Sequence, residues 1–87
     1  MSTMTAAQIA DLHARRTRKG AGYAPALAEC LDAAREGRLW DVDTASSGED
    51  GLSVGVDRND ALAEWAEQCG EDETPARWTA TRITLAA

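Results

Sequence analysis

Apolar side chains return every three or four positions between Thr5 and Gly37, every second position from Leu39 to Val56, and every three or four again after Asp57. These rhythms predict two helices, two strands and a third helix. The first helix opens at Thr5-Ala6-Ala7-Gln8, which has the form of a capping box: the threonine oxygen accepts from the third helical amide, and the glutamine reaches back to the cap. Ile9 and Leu12 make a thin apolar stripe, so this helix is expected to pack loosely or against a partner. Gly20 and Gly22 break it.

Pro25 suits the first turn of a second helix, because its missing N–H has no intrahelical partner there. Leu27, Leu31 and Ala34 then repeat at helical spacing until Gly37 stops the helix, while Ala26, Cys30 and Ala33 form a small-residue face. Trp40, Val42 and Thr44 alternate with Leu39, Asp41 and Asp43, and beyond the turn cluster Ser46 to Gly51 a second alternation runs through Leu52, Val54 and Val56. Gly55 within it marks a bulge or a close backbone contact. Asp57 or Asn59 caps a third helix, striped by Leu62, Trp65 and Cys69 and ended by Gly70. A loop through Glu71, Asp72, Glu73 and Pro75 leads to a Trp-, Thr- and Ile-rich strand over 77–85.

The resulting order, α-α-β-β-α-β, describes a single α+β domain over residues 1–87, with 1–22 as a basic helix and linker able to move. Chain direction favours a small three-stranded, mainly antiparallel sheet in the order 2-1-3, with one face left for helix packing. A 1-2-3 order with a parallel right-handed crossover is the alternative. The chain holds enough residues for one core only, and its apolar content is rich in alanine and lacks Phe. A second copy could supply further burial, so a homodimer is among the partners considered from the sequence.

Charge changes the picture more than size does. The net charge of -6 is divided: Asp11 is the one acid among residues 1–19, whereas Arg15, Arg16, Arg18 and Lys19 crowd the end of that stretch. From Trp40 to Glu73, eleven carboxylates face a single cation, Arg58. Such a segment repels nucleic acid and attracts basic surfaces. No apolar run approaches the roughly 20 residues needed to cross a bilayer, and the first residues lack a secretory pattern, so a cytoplasmic location is expected. Cys30 and Cys69 do not form a C-x-x-C pair and are read as reduced, half-buried helix residues.

Candidate chemistry is sparse. His13 lies among cations, and the neighbouring sequence does not provide the second polar partner that a nucleophile-base-orienter arrangement needs, which suits a solvated helix histidine. Asp41 and Asp43, two apart on a strand, could share a divalent cation with Glu49 and Asp50 nearby. The calcium-loop pattern fails, however, because Ala45, Ser46 and Leu52 stand where a ligand, the glycine and the bidentate glutamate belong. Acids on the solvent face of an edge strand are the simpler role. Gly20-Ala21-Gly22 lacks the third glycine and the preceding strand of a dinucleotide site. No catalytic residue, metal site or cofactor is therefore expected, and the chain is read as a non-enzyme.

The functional expectation is an acidic binding surface made from Asp41, Asp43, Glu49, Asp50, Asp60, Glu64, Glu67, Glu71, Asp72 and Glu73. Carboxylates held at fixed spacing can stand where phosphates would sit on a nucleic-acid-binding protein. The expected class is a small inhibitor or adaptor docking on the basic surface of a nucleic-acid-binding protein or nuclease complex. Phage and mobile-element anti-defence proteins of the anti-CRISPR or anti-restriction kind do this type of work. The alternative is a small dimeric DNA-binding or regulatory protein using Arg15, Arg16, Arg18 and Lys19, although four cations without interleaved aromatics are few for that role.

Overall fold

A computed structural model describes residues 2–18, 25–43, 51–69 and 77–86. Its elements in chain order are β1 (Ser2–Met4), α1 (Ala6–Arg18), α2 (Leu27–Arg35), β2 (Leu39–Asp43), β3 (Gly51–Val54), α3 (Arg58–Cys69) and β4 (Thr79–Leu85). The class is α+β, with three helices and a mixed four-stranded sheet in the order β1-β4-β2-β3 among the described residues. Strand β2 is antiparallel to both β3 and β4, and β1 pairs parallel with β4, setting Thr3 opposite Thr84.

Two expectations are corrected here. The sheet has four strands rather than three, because Ser2-Thr3-Met4 joins its edge beside β4. Helices also cover both of its faces instead of one. On one side Ile9 and Leu12 of α1 and Cys30, Ala33 and Ala34 of α2 pack with Leu39, Leu52 and Ile83. On the other, Leu62, Trp65 and Ala66 of α3 pack with Val42 and Trp78. Alternation along β2 sends Leu39 and Val42 to opposite sides, so each helix layer meets an apolar strand face. Burying the Ile, Leu and Val side chains among these contributes about 1.5 to 3 kcal/mol each.

The helix ends follow the local chemistry. Gln8 N–H donates to Thr5 Oγ1 at 3.1 Å and Thr5 N–H to Gln8 Oε1 at 2.9 Å, closing the capping box reciprocally. Helix α2 begins at Leu27, so Pro25 lies just ahead of it rather than in its first turn. Gly37, at φ 70°, ends α2: Arg38 N–H donates to the Ala33 carbonyl at 2.8 Å and Gly37 N–H to that of Ala34 at 3.3 Å. At the start of α3, Asp60 N–H donates to Asp57 Oδ1 at 2.8 Å, while Asp60 Oδ2 accepts from Val56 N–H at 3.0 Å. Helix α1 is not loosely held despite its thin stripe, because Ile9 and Leu12 are both buried in the core.

Helix α3 lies unusually close to β3. A Cβ on Gly51 would come within 2.0 Å of the Trp65 ring, and one on Gly55 within 2.5 Å of the Ala61 backbone nitrogen. Gly55 thus marks a close backbone contact just beyond the strand. Ser53 Oγ, also buried, fixes the same approach by donating to the Ala61 carbonyl at 2.9 Å. Gly51→Ala is expected to push Trp65 out of place and destabilise the fold by about 1 to 3 kcal/mol, as overpacked cores do. Urea unfolding followed by tryptophan fluorescence measures this; an unchanged midpoint would show that the contact is not tight.

Candidate functional site

The charged groups singled out from the sequence fall into separate environments. Asp41 faces α1, where one guanidinium nitrogen of Arg16 donates to both its carboxylate oxygens, at 2.9 and 3.1 Å. The two side chains retain only 21% and 28% exposure, so this pair is shielded far better than a surface contact. Asp41 therefore does not lie on the solvent face of an edge strand, since β2 is flanked on both sides and Asp41 turns inward to the helix layer. Asp43 shares that sheet face by strand alternation and is exposed.

The carboxylates of α3 lie on the opposite side of the sheet. Asp60, Glu64 and Glu67 are all exposed, and their i, i+4, i+7 spacing lines them along one helix face. They span about 10 Å at 1.5 Å rise per residue. Asp60 also has the structural duty at the helix start described above. Glu64 accepts from Gln68 Nε2 at 3.2 Å. No basic residue occupies the last turn of α3. Glu49, Asp50, Glu71, Asp72, Glu73 and Lys19 lie outside the described residues.

The basic cluster is partly used within the molecule. Arg15 Nε meets Asp11 at 3.3 Å in an exposed i,i+4 pair, and Arg16 is engaged by Asp41. Arg18 closes α1. Sequence reasoning missed one cationic contact: the Arg82 guanidinium lies 4.8 Å from the Trp40 ring centroid. The two residues are register partners on β4 and β2, and Trp40 Nε1 donates to the Gly55 carbonyl at 2.9 Å. The register that sets Arg82 opposite Trp40 is announced by no local pattern near either residue.

His13 is half-buried rather than solvated, and its Nε2 lies 2.7 Å from the Pro25 carbonyl oxygen. A carbonyl only accepts, so Nε2 carries the proton. Cys30 Sγ donates to the same oxygen at 3.6 Å, and the thiol is fully buried rather than half-buried. Burial, with a smaller push from Glu29, raises its pKa from 9.0 to about 11, so at neutral pH the group is a protonated thiol and not a nucleophile. Among the described residues no three His, Cys, Asp or Glu side chains converge in a way that could hold a metal ion, and no helix is long and apolar enough to cross a membrane. Compared with protein-family models, curated proteins and solved structures, the chain matches none.

Two tests follow from this geometry. Asp41→Asn should cost about 1 to 3 kcal/mol because it leaves a shielded guanidinium short of its counter-charge, whereas Asp11→Asn, at the exposed pair, should cost about 0.5 kcal/mol or less. Equal losses in chemical denaturation would show that shielding is irrelevant. For Cys30, the unfolded chain sheds its proton near pH 9.0 while the folded chain keeps it to about pH 11. Stability that is complete below pH 9 should therefore be lost as pH rises through 11. The slope of melting temperature against pH in that window should be shallower in Cys30→Ala than in the parent protein.

Proposed function

We propose that this chain is a small non-enzymatic binding protein that docks an acidic surface on the basic surface of a nucleic-acid-binding protein, acting as inhibitor or adaptor. The observation that carries the reading is the outward face of α3. Asp60, Glu64 and Glu67 stand in one exposed row, and Glu67 falls in the last turn, where no basic residue accompanies it. A carboxylate at a helix C-terminus faces the negative end of the helix dipole and is unfavourable there. A cationic partner would relieve that repulsion on binding, and the complex would weaken with salt.

The reading has further support in the exposed surface around the row. Val56, just ahead of α3, is the one large apolar side chain exposed among the described residues, so beyond it recognition through this part of the molecule relies on charge and hydrogen bonding. A nuclease complex of the kind targeted by phage and mobile-element anti-defence proteins is the partner class we favour, because its phosphate-binding groove presents cations at the needed density. Direct use of α1 on nucleic acid has less support, since Arg15 and Arg16 already have carboxylate partners in the folded chain.

The test reverses Glu64 and Glu67 to Lys together, leaving Asp60 and Asp41 in place because both have structural duties. Removing negative charge from the C-terminal half of α3 should leave the free protein at least as stable, with a gain of about 0.3 to 1 kcal/mol. The same change should abolish capture of a nucleic-acid-binding protein from extracts of the native host. Capture by the parent protein should fall with added salt and with competing duplex DNA. Undiminished capture by the stable double variant would overturn the proposal.

A further inference from the structure

We draw no further inference here: the strongest candidate, the groove between α2 and the end of β3 that Glu29, Asp32 and Glu36 rim over Ala33 and Val54, has Asp32 and Glu36 already paired with Arg35 and Arg38, and nothing in the structure shows what covers it.

Discussion

Strand β2 is hydrogen-bonded along both edges and covered on both faces, so only Asp41, in part, and Asp43 meet water. Leu39 anchors the α1 and α2 layer and Val42 the α3 layer, and both are fully buried. The two halves of the core, one on each sheet face, therefore share one strand. Loss of β2 would leave each helix layer without the surface it packs against, and neither cluster is large enough to stand alone. The acid at Asp41 is the cost of placing a charged residue in that position. Arg16 offsets it and, in doing so, fixes the end of α1 that the apolar stripe alone does not reach.

This dependence explains why the basic helix and the acidic strand, which look like rival binding surfaces along the chain, meet inside the fold. Arg16 and Asp41 are separated by 25 positions, and nothing near either residue announces the other. Their contact becomes visible only once α1 is known to lie on the sheet. Charge composition was thus legible from the residues, while its pairing was not. His13 follows the same logic: its partner is a backbone carbonyl across a helix connection, and backbone acceptors leave no trace in side-chain spacing.

The fold was readable wherever a signal was local. Thr5 and Gln8 close the predicted capping box, Gly37 takes the left-handed conformation that ends α2, and Asp57 caps α3. Strand β1 was not readable. Ser2-Thr3-Met4 is too short for an alternation to appear, and its partner is Thr79–Leu85 at the far end of the chain. The number of covered faces was recoverable in principle, since Leu39, Trp40 and Val42 crowd one short strand with apolar groups on both sides. A strand with one solvated face would carry them on alternate positions only.

The two covered faces also divide the acidic surface. Asp43 belongs to the side of α1 and α2, whereas Glu64 and Glu67 project from α3 on the other, with the sheet between them. A single flat partner cannot rest on both. The described carboxylates of this stretch therefore do not make one acidic patch, and their total charge overstates what any one partner meets. Of the described carboxylates, the row on α3 keeps several in line on a rigid element, and helix geometry holds their spacing constant. Fixed spacing, rather than charge density, separates a recognition surface from a merely soluble one. On that criterion α3 is the element that the proposed docking on a cationic groove would use.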